Sequence, residues 1–385
     1  MHLNRNVVRA TVSPIGAAHD LIVGRAGERP LLDLSQAAPR YPAAPVVCEQ
    51  VATAAFDPAG GTYTEIAGLP DLREAFAAEL SADYRGRIDG ANIVVTAGCN
   101  QAFCLVMSAL AAPGDEVIMV LPYYFNHVMW LTMAGIRPVF LEPGSDLIPS
   151  VHATEHLITS RTRAIVLVTP GNPTGVTVPP DRLAAFADLA DRHGIALVLD
   201  ETYRSFRETT APPHDLFSGP DRLRTVISLH SFSKDLAIPG YRVGAVVGST
   251  DLIHELTELI DCVAVCAPRI GQLAALTGLR EAGAWRRERA AEIATQRRLF
   301  AAVLADRPGG FQIVSLGAFF GWVRHPFTGR STAEVVRDLI LRLDILVVPG
   351  TAFLPEDRAM LRVSVGNADP DELTELAARL APAAG

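Results

Sequence analysis

From about Gly68 onwards, short apolar runs alternate with longer segments in which apolar residues recur every three or four positions. Near-continuous apolar runs separated by helical patterns are typical of parallel strands that are covered on both faces. We therefore predict an α/β fold with a mostly parallel sheet covered by helices. The predicted strands are NIVVTAG, DEVIMVLP, RAIVLVTP, IALVLDE, RTVISLHS and YRVGAVVG, with helices such as LPDLREAFAAELSADY and PDRLAAFADLADRHG between them.

The pattern changes towards the C-terminus. Two long helical segments, DLIHELTELIDCVAV and AWRRERAAEIATQRRLFAAVLADR, lead into short strands and helices in mixed order. A chain of 385 residues is long enough for two domains. We predict a large domain over residues 46–275 and a smaller α+β domain over 276–385. The irregular, proline-punctuated segment 1–45 is expected to pack with the small domain.

Composition and charge narrow the class of protein. The net charge of −8 argues against a nucleic-acid binder, which usually concentrates basic residues on one face. The five cysteines form no C-x-x-C pair, so we predict neither a disulfide framework nor a metal site. The chain has no signal-peptide core and no run of the ~18 apolar residues that a membrane helix needs. We predict a cytoplasmic protein without nucleic-acid or membrane partners.

One basic residue differs from all the others. Lys234, in the stretch HSFSKDLAIPGYRVG, is the only lysine among 34 lysine and arginine residues. Arginine stays protonated, whereas a desolvated lysine can lose its proton and form Schiff bases. A single lysine can also survive by chance, so the flanking sequence must decide between the two interpretations.

Polar residues that could bind phosphate follow two of the predicted strands. Ligands of open α/β sheets collect beyond the carboxyl ends of the strands. A glycine turn that opens a helix offers free N–H groups to an anion, although it can also be an ordinary turn. Hydroxyl groups and an arginine could complete such a cup. The candidates are Gly98, Cys99, Asn100, Ser231, Ser233 and Arg242.

Two other strand ends carry different chemistry. Asp200 ends an apolar strand, where a carboxylate is unfavourable to bury without a cationic partner, although it could equally cap the next segment. Tyr203 lies three residues further on and could reach the same ligand through its hydroxyl. Asn172, in the turn GNPTG, could donate its side-chain amide to a ligand.

These stretches together resemble the class I/II aminotransferases, the aspartate aminotransferase-like family of fold type I pyridoxal-phosphate (PLP) enzymes. The matching signatures occur in the family's order and spacing, from about Leu31 to Arg362. They are YTEIAGLPDLREAF, VTAGCNQAF, TPGNPTG, LDETYRSF, SFSKDLAIPGYRVG and LRVSVG. Lys234 falls on the family's cofactor lysine.

The resemblance implies an aminotransferase that moves an amino group between an L-amino acid and a 2-oxo acid through a Schiff base of Lys234 with PLP. Asp200 would pair with the pyridinium nitrogen, which makes the ring a better electron sink. Asn172 and Tyr203 would bind the ring's phenolic oxygen, and Tyr124 would stack on the ring. The six residues of the phosphate cup would hold the phosphate.

The resemblance also implies a substrate site and an assembly. Arg362 would bind the substrate α-carboxylate as a bidentate pair, beside Asn172. Tyr63 would reach the phosphate of the neighbouring subunit, which implies a homodimer with shared active sites. Ala37 replaces a family glycine at which the backbone approaches the substrate, and Arg40 replaces an acidic residue. A dicarboxylate would need a second arginine, for which the candidates are Arg25, Arg29, Arg40 and Arg269.

A different reaction remains open at this point. The segment SKDLAIPGYRVG is also similar to the 1-aminocyclopropane-carboxylate synthases, which eliminate from the Cγ of S-adenosylmethionine. Both reactions begin with loss of the Cα proton, and the outcome depends on the shape of the pocket, which motifs do not show. The alternative function is therefore a PLP-dependent β/γ-elimination or replacement enzyme of specialised metabolism.

Overall fold

The computed structural model describes residues 1–9, 16, 20, 22 and 29–381. Its strands are β1 (Leu32–Asp33), β2 (Ile93–Thr96), β3 (Glu116–Val120), β4 (Arg137–Leu141), β5 (Thr162–Val168), β6 (Ala196–Asp200), β7 (Val226–Ser231), β8 (Gly244–Val247), β9 (Gln312–Gly317), β10 (Phe320–Arg324), β11 (Ile345–Leu346), β12 (Val348–Pro349) and β13 (Met360–Ser364).

A seven-stranded sheet forms the centre of the described chain, in the order β2-β8-β7-β6-β5-β3-β4. Strands β4, β3, β5, β6 and β7 run parallel to one another. Strand β8 is antiparallel to both of its neighbours, β7 and β2. The carboxyl ends of β2, β5, β6 and β7 therefore meet at one edge of the sheet. The predicted α/β class with a mostly parallel sheet is confirmed.

Both faces of this sheet are buried, which explains why its strands are almost continuously apolar. Successive residues of a strand point to opposite faces. In β6, Leu197 and Leu199 pack into one core, and Val198 packs into the other. Ile118 of β3 faces the first core and Val117 the second. The alternating α/β pattern thus follows from a sheet that is covered by helices on both sides.

The helices begin at residues that suit the start of a helix. Proline is the first residue of four of them, where its fixed φ is favourable and an N–H would be unpaired anyway. The helices are α1 (Arg5–Arg9), α2 (Pro45–Phe56), α3 (Pro70–Asp83), α4 (Cys99–Leu110), α5 (Phe125–Met133), α6 (Val151–Glu155), α7 (Pro180–His193), α8 (Phe232–Asp235), α9 (Thr250–Ala264), α10 (Arg269–Glu281), α11 (Gly283–Val303), α12 (Thr332–Leu343) and α13 (Pro370–Leu380).

A separate antiparallel sheet, β12-β13-β10-β9, lies in the C-terminal part of the chain. Strand β1 pairs with β11, and Leu32 and Leu34 belong to the core of this part. Helix α10 crosses residue 275 without a break, and its Ala275 and Leu276 both belong to the core of the large sheet. The position of the domain boundary therefore stays a prediction.

Within the described part of the chain, no helix combines the length and the apolar character needed to cross a membrane.

Candidate active site

The carboxyl edge of the large sheet forms one wall of a cavity of about 240 Å³. Segments from the small sheet and from the N-terminal part complete it. The residues of the predicted site that line the cavity are Ala37, Cys99, Asn100, Tyr124, Asn172, Asp200, Tyr203, Ser231, Ser233, Lys234, Arg242 and Arg362. Gln36, Phe125, Val168 and Thr202 line it as well. Residues far apart in the sequence are thus brought together by the parallel strand ends.

Lys234 lies in the short helix α8, directly after β7. Burial, together with the nearby cations Arg362 and Arg242, lowers the pKa of its amine to about 8. An amine with this pKa is partly neutral near pH 7 to 8 and can act as a nucleophile or a base. Arginine could not take either role.

Asp200 ends β6 and is 3 % exposed. Its Oδ1 accepts a hydrogen bond from the backbone N–H of Thr202 at 3.0 Å, and His127 Nε2 lies 3.4 Å from its Oδ2. Burial alone would raise the pKa of Asp200, but His127 and Thr202 outweigh it and keep the pKa below its usual value. The cavity therefore contains a stable carboxylate. His127 is itself held by stacking on Phe103, with ring centroids 3.8 Å apart.

The two tyrosines of the cavity are neutral donors. Burial raises the pKa of Tyr203 and of Tyr124 well above the usual range. Tyr203 packs against the ring of Phe320, with centroids 5.0 Å apart. Tyr124 precedes helix α5 and its hydroxyl donates to Asn100 Oδ1 at 3.3 Å. Both hydroxyls can donate a hydrogen bond to a ligand oxygen at neutral pH.

The predicted phosphate cup is built around the start of helix α4. Gly98 adopts φ +88° immediately before this helix, and a Cβ at this position would lie 2.2 Å from Arg242 Nη2. The missing side chain lets the guanidinium approach the helix start. Arg242 donates to Pro239 O at 2.8 Å and to Ala97 O at 3.3 Å, which fixes it there. Free helix N–H groups, this cation and the hydroxyls of Ser231 and Ser233 form a site for a dianion.

Arg362, in β13, is the most deeply buried cation of the cavity, with an exposure of 1 %. Its guanidinium lies between the rings of Phe320 and Phe353, 5.2 and 5.1 Å from their centroids. It donates to Asn172 Oδ1 at 2.9 Å and to Ser35 O, and its Nε has no hydrogen-bond partner among the described residues. Burial lowers its pKa to about 10, against the opposing effects of Tyr203 and Tyr124. A buried cation that forms no ion pair within the described chain is suited to a carboxylate ligand.

The remaining predicted residues lie outside this cavity. The side chain of Tyr63 is 75 % exposed and does not line it. Among the candidate second arginines, Arg29 pairs with Asp344 and Arg40 pairs with Glu372. Arg269 donates to Tyr63 O at 3.4 Å. Arg25 lies outside the described residues.

Comparison with known proteins decides the family. The family described as aminotransferase class I and II matches residues 29–380. The chain belongs to this family. It is 32 % identical over 342 residues to the aromatic aminotransferase ISS1 of Arabidopsis thaliana, which covers 86 % of this chain and 84 % of that protein. It is 34 % identical over 313 residues to the arginine–pyruvate transaminase AruH of Pseudomonas aeruginosa, covering 80 % and 79 %. A double mutant of the Thermus thermophilus aspartate aminotransferase superposes with a TM-score of 0.90 over all of both chains, at 26 % identity.

The chain is therefore an enzyme of the class I/II aminotransferases, with the fold type I architecture. The names of the proteins compared above refer to aromatic amino acids, arginine and aspartate, so they do not agree on a substrate for this aminotransferase. All three are aminotransferases, and this gives no support to the elimination alternative.

Five residues at the site of this aminotransferase were not in the predicted set because their position depends on tertiary packing. Gln36, Phe125, Val168 and Thr202 line the cavity, and His127 contacts Asp200 from behind it. A buried carboxylate at Asp200 requires a partner, but nothing in the sequence singles out His127 for this role.

Because Lys234 is the only lysine of the chain, the pKa of its amine can be measured by chemical modification. We expect the rate at which an amine reagent such as trinitrobenzenesulfonate modifies Lys234 to increase with pH and to level off above about 8. An ordinary lysine would continue to gain reactivity up to about pH 10.4. Peptide mapping separates Lys234 from the N-terminal amine, and N-acetyl-lysine is the reference. A profile that follows the reference would contradict the lowered pKa.

Proposed function

We propose that this aminotransferase uses PLP, bound covalently through Lys234, to move an amino group between an L-amino acid and a 2-oxo acid. One observation carries the proposal. A lysine with a lowered pKa, a stable carboxylate and a buried unpaired guanidinium line the same cavity. The cavity holds three cationic side chains, Lys234, Arg242 and Arg362, and the carboxylate of Asp200. This balance favours ligands with several negative charges, such as a phosphate ester together with an amino acid.

The residues present fit PLP at each of its polar groups. The cup around Gly98 and Arg242 provides the donors that a phosphate dianion needs. Asp200 can accept a hydrogen bond from a protonated ring nitrogen, and Tyr203 can donate one to the phenolic oxygen. The amine of Lys234 lies in the same cavity and would hold the cofactor by condensing with its aldehyde group, whose oxygen leaves as water. When bound, PLP supplies the ring that takes up the electron pair released at the substrate Cα.

Each role that we assign to a residue follows from its chemistry. Arg362 and Asn172 bind the α-carboxylate and thereby orient the Cα–H bond. The neutral amine of Lys234 would take the Cα proton and return a proton to complete the transfer. Asp200, supported by His127, stays ionised and so keeps the ring nitrogen protonated. Ala37 lies beside the substrate on the N-terminal segment.

Side chains at the ring edges have supporting roles. Tyr124 would cover one face of the ring, and Asn172 and Tyr203 would bind its phenolic oxygen. We assign the phosphate to the backbone and side chains of the cup. Its members are Gly98, Cys99, Asn100, Ser231, Ser233 and Arg242.

We also propose that the enzyme acts as a homodimer in which Tyr63 reaches the phosphate of the neighbouring subunit. Tyr63 is exposed although its ring is large and apolar, and so are Phe56 and Val263, at 90 % and 64 %. Exposed large apolar side chains of this kind are common at interfaces between protein chains. Tyr63 is outside the cavity of its own chain, so any contact with a phosphate requires a second chain.

The first test is the visible absorption spectrum of the protein with PLP, followed by addition of single amino acids. We expect a visible band from the Lys234-bound cofactor, its loss on addition of a suitable L-amino acid, and its return on addition of a 2-oxo acid. L-tyrosine, L-phenylalanine, L-aspartate and L-arginine are the first donors to compare.

Two results would contradict the proposal in different ways. If no band forms with PLP, the cofactor assignment is wrong. If the band returns without any 2-oxo acid while the amino acid, or S-adenosylmethionine, loses a leaving group, the reaction is an elimination rather than a transfer.

A further inference from the structure

A largely buried cluster of alternating charges lies behind the residues that line the cavity. Arg286, near the start of α11, donates to both carboxylate oxygens of Glu79 in α3, at 2.5 and 2.9 Å. The same guanidinium pairs with Asp235 Oδ2 at 2.5 Å. Arg204 also binds Glu79, and it donates to Asp83 Oδ2 at 2.6 Å. The side chains of Arg286, Glu79, Asp235 and Arg204 are between 10 and 18 % exposed.

Both ends of this cluster lie next to residues of the cavity. Asp235 directly follows Lys234 in α8, and Arg204 directly follows Tyr203 at the start of the turn Arg204–Phe206. Lys234 and Tyr203 point into the cavity, whereas the residues that follow them point into the cluster. The cluster therefore connects the two chain segments from which the amine and the phenol project.

Helix α11 also contacts the chain segment that follows Tyr203, through a residue further along the helix. Arg297 donates to Phe206 O at 3.2 Å and to Ala318 O at 3.0 Å. One helix thus contacts α8 through Asp235, α3 through Glu79, and the turn Arg204–Phe206 through Arg297. Long paired side chains on one rigid helix can fix the separation of the segments they bind.

The cluster is better explained as a means of fixing the relative positions of chain segments than as a source of net folding stability. Buried ion pairs add little net stability compared with apolar residues of similar size, and their best-attested use is to specify one arrangement of the chain. Burial alone would raise the pKa of Glu79, but Arg204 and Arg286 lower it to about 2, so the carboxylate stays charged throughout the neutral range. The ion pairs are therefore present at any pH at which the enzyme would work.

We propose that Arg286 is a positioning residue for the transfer reaction: by binding Asp235 and Glu79 together, it sets the position of Lys234 relative to Tyr203. This inference rests on the proposed function, in which Lys234 moves the proton and Tyr203 binds the phenolic oxygen. Arg286 does not line the cavity and would not touch the substrate or the cofactor.

The test compares Arg286→Gln with Arg286→Lys, Asp235→Asn and the control Arg280→Gln. Arg280 pairs with Asp71 at 3.1 Å, but more than half of each side chain is exposed, so this substitution removes an ion pair far from the proposed role. We expect Arg286→Gln to lower kcat by on the order of tenfold or more, because even a small displacement of a catalytic group strongly lowers the reaction rate. The KM for the amino acid should change less than about threefold, since Arg362 is untouched.

A second readout separates positioning from loss of structure. The pH at which the visible band of the Lys234-bound cofactor titrates should increase in Arg286→Gln, because a cation is removed and Asp235 is left without that partner. Arg286→Lys should restore part of kcat and of the band's pKa, and Arg280→Gln should match the wild type in both. Melting temperatures show whether each variant is folded under the assay conditions.

The possible results distinguish this inference from the proposed function. A wild-type protein that forms no band with PLP contradicts the proposed function itself. An active wild type together with an Arg286→Gln variant of unchanged kcat and unchanged band contradicts only the positioning role. If both Arg286 variants fail to fold, Asp235→Asn tests the same contact, and an Asp235→Asn variant that matches the wild type in kcat and band overturns the inference.

Discussion

Replacing Lys234 with alanine is expected to abolish amino-group transfer, with a loss of more than about 10³-fold in kcat, and arginine at this position is not expected to restore it. Alanine removes both the amine that would bind the cofactor and the base that would take the Cα proton. Arginine keeps the positive charge but stays protonated, so it can do neither. The measurement is steady-state transamination with the best donor, together with the visible spectrum of each variant.

The control for this prediction is cofactor retention. Asp200 and the phosphate cup are unchanged in both variants, so PLP should still bind without the covalent bond and remain after gel filtration, with a spectrum different from that of the wild type. Loss of activity with PLP retained places the effect on Lys234 itself. Transamination by Lys234→Arg at an appreciable fraction of the wild-type rate would contradict the assignment.

The Lys234→Ala variant also tests the shared active site. When it is mixed and re-dimerised with Tyr63→Ala, each mixed dimer holds one site that has both an intact Lys234 and a partner chain with an intact Tyr63. With random exchange, about a quarter of all sites should be intact, so the mixture should regain activity beyond the sum of the two separate variants. No gain, in a protein whose sedimentation shows dimers, would contradict the role of Tyr63 in the neighbouring site.

The large sheet could be predicted from the sequence because the property that makes its strands, burial on both faces, appears within each short segment. The segments DEVIMVLP and IALVLDE form strands that are buried on both faces, and this burial is the reason why they are almost continuously apolar. Helices α2 and α10 were not predicted, because neither has a broad apolar stripe. In α2, Val47 and Ala54 are the buried residues. In α10, a Cβ at Gly271 would lie 2.2 Å from Tyr241 O, so close packing there requires the glycine that weakens the helical pattern.

The candidate site was predictable to the extent that it follows strand ends. Asp200, Asn172 and Ser231 come at or just after strands that run in the same direction, so one edge of the sheet brings them together. The contacts of His127 and of Arg286 were not predictable in this way, because they depend on how helices pack behind that edge. Such residues have no sequence motif of their own beyond a charge near an apolar segment.

Replacing Arg362 with glutamine is expected to lower kcat/KM by on the order of 10²- to 10³-fold, mainly through a higher KM. The guanidinium is buried between two rings and forms no ion pair in the described chain, so a substrate carboxylate would be its charged partner. Glutamine keeps part of the hydrogen bonding but removes the charge and the two-pronged geometry. Arg362→Lys keeps the charge alone and should recover only part of the loss. The measurement is kcat and KM for one amino-acid donor, with a simple primary amine that has no carboxylate as a second donor.

The comparison that decides the role of Arg362 is with Arg358→Gln. Arg358 lies four residues earlier and pairs with Glu142, and both side chains are well exposed, so its loss should change kcat/KM by less than about twofold. Arg362→Gln should still form a visible band with PLP, because Arg362 does not belong to the phosphate cup, but the band should titrate at a higher pH because a cation near Lys234 is removed. The discriminating quantity is the ratio of activity with the amino acid to activity with the simple amine. If Arg362 binds the carboxylate, this ratio falls towards one in Arg362→Gln and stays at the wild-type value in Arg358→Gln. An equal loss for both donors would instead mean that Arg362 holds the site together through Ser35 and Asn172, and the carboxylate would have to bind elsewhere.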